Sequence, residues 1–492
     1  MRMLHSSWLA ALVSACVCLG AQNEPVTVRD PGGLPSPNEL KIPPLGEIKI
    51  PQPAVFTLPN GLKIFLLEDH ELPVVRGAML IRTSNLFDPK SKRGLATLTG
   101  ITMRSGGTKT LAGNELDERL ESIAASVETE IGESTGTARF HCLKENTDEV
   151  LGLFRDVVTS PAFSQEKIDL AKTQLKSAIS RRNDEAQGIA SRELLRLVYG
   201  PDTPYGGMEE YATVDAVTRS DIEAFYKRYL FPSNILMSVY GDFSTPTMRE
   251  KLQSLFSSWN VTQPKVPPFP AVDAPTRPGI FFVQKADVQQ IFLQLGELGG
   301  EYRDADFPAL SVAADVLGGG FSSRLLREVR TRLGYAYEID AGWEADFNHP
   351  GVFRIACSTK PEETTQTIQA ILGQLENMRT SEVSDQELKT AKDAALNSLV
   401  FAFERPSSTL ARLMTYEYFG YPLDFLSRYE KAISTVTKAD VLRVAKQYFL
   451  PAKLTIVAVG NRDNISEPLS TLKLPIQPLD VTIPAPKEQA LR

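Results

Sequence analysis

The chain has 492 residues and a formal charge of −7, with 42% hydrophobic and 23% charged residues. That is the balance of a globular protein with material for more than one core. No basic patch shows, which argues against a duplex-binding surface, and no run of like charge is long enough to form a tail.

Arg2 precedes an apolar, small-residue run from Trp8 to Gly20, broken only by Ser14, and no acidic residue occurs before Glu24. The run is too short for a spanning helix, which needs about 20 residues. A secretory signal peptide over residues 1–21 is expected. Two endings fit. Cleavage near Gly20 or Ala21 would release a soluble protein. Val13-Ser14-Ala15-Cys16 resembles a bacterial lipobox, which would leave a lipid anchor on Cys16. The expected location is the periplasm, or the outer membrane as a lipoprotein. Beyond the signal only Cys142 and Cys357 remain. Two cysteines make no disulfide framework, and pairing and free buried thiols are both open.

Residues 22–50 are rich in proline and glycine and read as an extended arm. Structure begins near Val55. Phe56 to Leu67 reads as strand, Asn60-Gly61 turn, strand, and Val74 to Thr83 as a further strand. Helices are expected over 94–102 and 116–125, then a hairpin from Val127–Ile131 and Thr137–Leu143. Helices follow over 147–158, 165–182, 189–199 and 219–229, and a strand over 235–240 closes the unit at Gly241. Strands and helices in this order imply α+β. A proline-rich linker, residues 263–278, separates a first domain (51–262) from a second (279–475), and residues 476–492 read as a tail.

The second domain repeats the first. Phe163-Ser-Gln-Glu-Lys-Ile-Asp-Leu-Ala-Lys172 matches Val383-Ser-Asp-Gln-Glu-Leu-Lys-Thr-Ala-Lys392, an offset of 220. Val217-Thr-Arg-Ser-Asp-Ile222 matches Val436-Thr-Lys-Ala-Asp-Val441, and Tyr229-Leu-Phe-Pro232 matches Tyr448-Phe-Leu-Pro451, both at 219. Separate blocks at one offset mark a tandem duplication. Two homologous domains of about 220 residues are expected, each an antiparallel sheet packed with helices. The surface between them is the natural concave site.

Within the second domain, Leu317 to Tyr337 stands out. Gly318-Gly319-Gly320 is followed by a helical pattern whose apolar stripe is Leu325, Leu326, Val329 and Leu333. Arg330 falls at the edge of that stripe. Gly334 signals the helix end, and Tyr337 falls in a strand just beyond. Arg330 and Tyr337 are therefore expected to converge.

The duplicated units, the linker and the run from Gly318-Gly-Gly-Phe-Ser-Ser-Arg-Leu325 to Leu333-Gly-Tyr-Ala-Tyr337 together resemble the M16 (pitrilysin/insulinase-type) peptidase family. The likeness is to its short, processing-peptidase-like branch. It covers about residues 50–475. Catalytic members carry His-x-x-Glu-His on a first-domain helix, commonly after Gly-Leu-Ala. Here Gly94-Leu95-Ala96 is followed by Thr97, Gly100 and Ile101 at the first histidine, the glutamate and the second histidine. Two histidines four apart on a helix share one face and can hold zinc, with the glutamate as base. Thr97 and Ile101 are not useful ligands. The region of the family's third ligand offers Ala178 and no glutamate. His70, His141 and His349 are far apart and none is paired at helical spacing.

In the family, the arginine–tyrosine pair of the second domain holds substrate backbone and polarises the scissile carbonyl. Some members divide the work between a zinc-bearing subunit and a zinc-less one that keeps the pair. The resemblance thus implies a non-catalytic subunit with no metal of its own. It would bind a peptide and supply Arg330 and Tyr337 to a zinc-bearing homologous partner. The alternative is a structural or peptide-binding protein on a retired peptidase fold.

Overall fold

The computed structural model describes residues 52–273, 275–401 and 405–486. The signal, Cys16 and the proline-rich arm lie outside the described residues.

Two six-stranded sheets organise the chain. The first contains β1 (Ala54–Thr57), β2 (Lys63–Glu68), β3 (Val74–Ile81), β4 (Ser126–Ile131), β5 (Gly136–Leu143) and β6 (Ile235–Gly241), in the order β1-β2-β6-β3-β5-β4. The second contains β7 (Gly279–Gln284), β8 (Ile291–Leu298), β9 (Ala336–Trp343), β10 (Val352–Thr359), β11 (Thr455–Gly460) and β12 (Ile476–Pro478), in the order β12-β7-β11-β8-β10-β9. β2, β3, β4, β5 and β6 thus recur as β7, β8, β9, β10 and β11. The fold is α+β, but the sheets are mixed rather than antiparallel. β6 runs parallel to β2, and β11 runs parallel to β7. After a long helical excursion β6 returns and inserts between β2 and β3, as β11 does between β7 and β8, which permits parallel pairing. β12, from the segment read as a tail, adds a parallel edge strand beside β7.

The repeated sequence blocks do the same work twice. Thr218 and Asp221 form a capping box on the helix Arg219–Tyr229, as Thr437 and Asp440 do on Lys438–Tyr448. Lys172 donates to the carbonyls of Asp215 and Val217, and Lys392 to those of Ser434 and Val436. In both copies a lysine ties one helix to the turn that starts another.

Each sheet buries both faces, so its central strands are nearly all apolar. On β2, Ile64 and Leu66 enter the first half's own core, whereas Phe65 and Leu67 face the other way. That second face is covered by Leu410, Met414 and Tyr418 of the helix Pro406–Phe419, which belongs to the second half. The converse holds for the second sheet. Phe281, Val283, Val457 and Val459 pack against Ile189, Leu194 and Leu197 of the first half's helix Ala186–Tyr199. The two helices begin 220 residues apart, so they are the same element of the repeat, exchanged between halves. Tyr418 seals one crossing by donating to the carbonyls of Ile81 and Ser134. Tyr199 donates to the carbonyl of Pro350 at the other. The described residues of the proline-rich linker form no helix or strand. Phe269 stacks near Phe87 and Phe419, and the Arg228 guanidinium holds the carbonyls of Pro264 and Lys265.

Cys142 and Cys357 are free thiols, buried in the first and second cores.

Candidate functional site

The helix Phe307–Gly318 lies against edge strand β9. A Cβ on Gly318 would stand 2.3 Å from the Ala341 nitrogen, so the first glycine serves helix-to-strand packing. A Cβ on Gly319 would meet the Asp315 carboxylate at 2.4 Å, whereas one on Gly320 would meet nothing within 4 Å. Of the three glycines, only Gly320 has room for a side chain. Below them a cavity of about 140 Å³ is lined in part by Asp315, Ser323, Arg327 and Glu387. Burial pushes the Asp315 carboxyl up to about 6.

The segment that follows is a π-helix, Leu326–Arg332, rather than the regular helix its spacing suggests. The Leu333 amide donates to the Glu328 carbonyl five residues back, at 3.0 Å, and the Tyr335 amide reaches the Val329 carbonyl at 3.0 Å. Leu325 and Val329 are buried in the second core, and Leu326 packs against it. Gly334 takes a left-handed φ of +69° and turns the chain into β9. Tyr337 then sits at a β-bulge. Ser358 pairs with Glu338 and Thr359 with Ala336, leaving Tyr337 as the extra residue. A bulge re-aims its side chain, and Tyr337 is 78% exposed.

Arg330 and Tyr337 do converge. The Arg330 guanidinium carbon lies 5.2 Å from the Tyr337 ring centre and 5.9 Å from that of Phe321, within cation–π range of both. The neighbouring arginines behave differently. Arg324 makes a bidentate pair with Glu387 (2.9 and 3.0 Å), Arg327 reaches the same carboxylate at 3.0 Å, and Arg332 pairs with Glu328. The Arg324 bond and the Ser384 bonds hold the Glu387 carboxyl down at about 2. Among the described residues Arg330 has no carboxylate partner, so its N–H donors remain available.

The first half presents a different picture. The helix Leu95–Ser105 is regular. Asp88 accepts from the amides of Gly94 (2.9 Å) and Ala96 (3.0 Å) at its start, and burial pushes that carboxyl up to about 7. Thr97 and Ile101 are half-buried, and Ile101 packs on the first core. Gly100 is pressed against β4. A Cβ there would lie 2.4 Å from the Ile131 nitrogen and 2.8 Å from the Glu130 carbonyl carbon. The Thr129 hydroxyl donates to the Gly100 carbonyl at 2.6 Å. The position of a general base is thus closed by backbone as well as lacking a side chain. Ala178 is exposed on the helix Gln165–Arg181.

The histidines do not repair this. His70 is exposed and bonded to Asp242 at 2.6 Å, His141 is on β5, and His349 is buried beside Tyr199 and Tyr205. Among the described residues no three His, Cys, Asp or Glu side chains form a metal-holding group. Thr97, Gly100 and Ile101 do not fit a zinc ion.

Two family descriptions match the chain: insulinase (peptidase family M16) over residues 63–203 and peptidase M16 inactive domain over residues 216–395. The chain belongs to the M16 peptidase family. This M16 chain is 24% identical over 418 residues to an uncharacterized zinc protease of Rickettsia bellii, covering 83% of this chain and 97% of the relative. It is 23% identical over 402 residues to the non-peptidase homolog YmxG of Helicobacter pylori, covering 80% and 91%. Among solved structures it is similar to a peptidase M16 inactive domain from Pseudomonas fluorescens (TM-score 0.71, 22% identity, 83% of this chain and 98% of that one). It is also similar to a Helicobacter pylori protease (TM-score 0.69, 22% identity, 83% and 99%). At that identity the structural matches show the fold.

Sequence reasoning paired Arg330 with Tyr337 but missed Phe321 and Glu387. An aromatic residue directly after three glycines was the available signal for Phe321. No local pattern pointed to Glu387, which reaches the site from another helix.

Proposed function

We propose that this M16 chain is a zinc-less subunit that binds peptide and supplies Arg330 and Tyr337 to a zinc-bearing homologue. One observation carries the reading: Arg330 alone among the arginines of its segment lacks a carboxylate, and it lies beside an exposed tyrosine. A guanidinium with free in-plane donors and a phenol hydroxyl can together hold a carbonyl oxygen as negative charge develops on it. Zinc and the general base would come from the partner, because the positions that would hold them here are Thr97, Ile101 and the closed Gly100.

The test is to purify the chain alone and with a co-expressed homologue that carries His-x-x-Glu-His, then follow peptide hydrolysis. The pair should be active, and Arg330→Ala or Tyr337→Phe should remove most of that activity. Hydrolysis by this chain alone, with one zinc per chain, would overturn the reading. The closed Gly100 position also favours a second reading, a peptide-binding scaffold with no part in proteolysis, and a related protein is named a non-peptidase homolog. Under that reading the two substitutions leave the pair's hydrolysis unchanged.

A further inference from the structure

We propose that Phe321 is a third member of the Arg330–Tyr337 site: it positions the guanidinium and selects peptides with an apolar side chain beside the carbonyl that Arg330 engages. The inference rests on the peptide-binding reading above. Phe321 is 82% exposed and Tyr337 78%. They are the two most exposed of the large hydrophobic residues described, and both lie against one guanidinium. Neither core uses the Phe321 ring.

The occupant follows from the groups on offer. The open N–H donors of Arg330 call for an oxygen acceptor. Its positive charge disfavours a cationic ligand. The two rings call for apolar surface next to that acceptor. An extended peptide alternates carbonyls with side chains that point to opposite faces, so a carbonyl held by the guanidinium brings a neighbouring side chain to the rings at 5.2 and 5.9 Å from it. Gly320, with nothing within 4 Å of a Cβ, leaves the approach to Phe321 clear.

Phe321 has two separable contributions. Its quadrupole holds the cation, which needs an aromatic ring. Its surface covers a substrate side chain, for which any large apolar residue serves.

The test uses the full chain without a partner and two fluorescein-labelled unstructured peptides, identical except for one central residue, Phe or Ser. Fluorescence anisotropy should show the Phe peptide binding about tenfold more tightly. Phe321→Ala should remove most of that preference, and Phe321→Trp should keep it. Phe321→Leu should keep part of the preference while weakening both peptides by about threefold. Thermal melts of the variants should match the wild type, because the side chain is exposed. Phe321→Ala with an unchanged preference, or equal loss for both peptides, would overturn the proposal. So would a wild type that binds neither peptide. A preference that follows a free rather than amidated peptide C-terminus would assign the site to a terminal carboxylate instead, and overturn it too. The parent reading is decided separately, by hydrolysis in the Arg330→Ala pair, so Phe321 can fail while that reading stands.

Discussion

Gly100 offers the sharpest test of how tightly the helix Leu95–Ser105 packs on β4. In a helix interior, Gly→Ala on its own stabilises by about 0.5–1 kcal/mol, because alanine loses less conformational freedom on folding. At position 100 the new Cβ would sit 2.4 Å from the Ile131 nitrogen and 2.8 Å from the Glu130 carbonyl carbon. Both are backbone atoms of β4, so no side chain can swing away; helix or strand must move. Overpacking of this kind costs about 1–3 kcal/mol. Against the propensity gain, the net expectation for Gly100→Ala is a loss of about 1–2 kcal/mol. Gly373 is the control. It lies in the helix Thr364–Thr380, and a Cβ there meets nothing within 4 Å. Gly373→Ala should therefore stabilise by about 1 kcal/mol. Scanning calorimetry on the two variants should move the melting temperature in opposite directions, by a few degrees each. If Gly100→Ala melts at or above the wild type, the packing argument is wrong. The same geometry predicts that the triple variant Thr97→His, Gly100→Glu, Ile101→His does not bind stoichiometric zinc by elemental analysis. One zinc per chain at wild-type stability would refute the claim that strand β4 closes the site.

Four further predictions follow from named residues. Glu387→Gln should loosen the π-helix, seen as faster amide exchange over 320–333, because Arg324 and Arg327 lose their shared carboxylate. Glu387 is held at about 2 by Arg324, well below the ordinary 4.5. A depressed carboxyl stabilises the fold above about 4.5 and loses that contribution as pH falls towards 2, so the variant should show a shallower acid dependence in that window than the wild type. Burial pushes Cys142 up to about 11 and Cys357 up to about 12. Neither should react with a thiol reagent at pH 8 in the native protein, and peptide mapping should find both modified after denaturation. Leu194→Ala, at the crossing of the first half's helix onto the second sheet, should cost about 2–5 kcal/mol in urea unfolding. Tyr418→Phe should cost about 1 kcal/mol by removing its bonds to the Ile81 and Ser134 carbonyls.

The elements were legible where local chemistry is strong. The Asn60-Gly61 hairpin, the period-two strands and the helix Arg219–Tyr229 fall where their residues indicate. So does the duplication, because a capping box and a carbonyl-binding lysine recur at one spacing. The exchanged helices were not legible. Ala186–Tyr199 and Pro406–Phe419 show an amphipathic stripe that reads the same whichever sheet it covers. The purely antiparallel sheet was the wrong expectation because insertion of β6 and β11 is a long-range event. At the candidate site, a 100° periodicity assigned a regular helix to Leu326–Arg332. Apolar spacing does not distinguish i→i+4 from i→i+5 bonding over seven residues. The bulge at Tyr337 depends on the register against β10, which no residue of β9 specifies alone.

The two halves differ in where local order is given up, and the contrast bears on function. The helix Leu95–Ser105 is regular, backbone-capped by Asp88 and packed flush on β4 through Gly100. The segment that carries Arg330 in the second half has a π-helix, a bulge, an unpaired guanidinium and two exposed aromatic rings. Each of these departures forgoes stability that a regular helix, an even ladder or a buried ring would supply. Departures from local rules that bring no packing gain concentrate at working sites. The Arg324–Glu387–Arg327 cluster strengthens the argument. It invests three charged side chains in anchoring the segment while leaving Arg330 uncommitted, an arrangement suited to presenting one guanidinium to an external acceptor. A purely structural scaffold would have no need to hold that group apart, whereas peptide binding, with or without proteolysis, would use it. Glu328, already in the segment and paired with Arg332, shows that a local carboxylate was within reach of this stretch and went to another arginine.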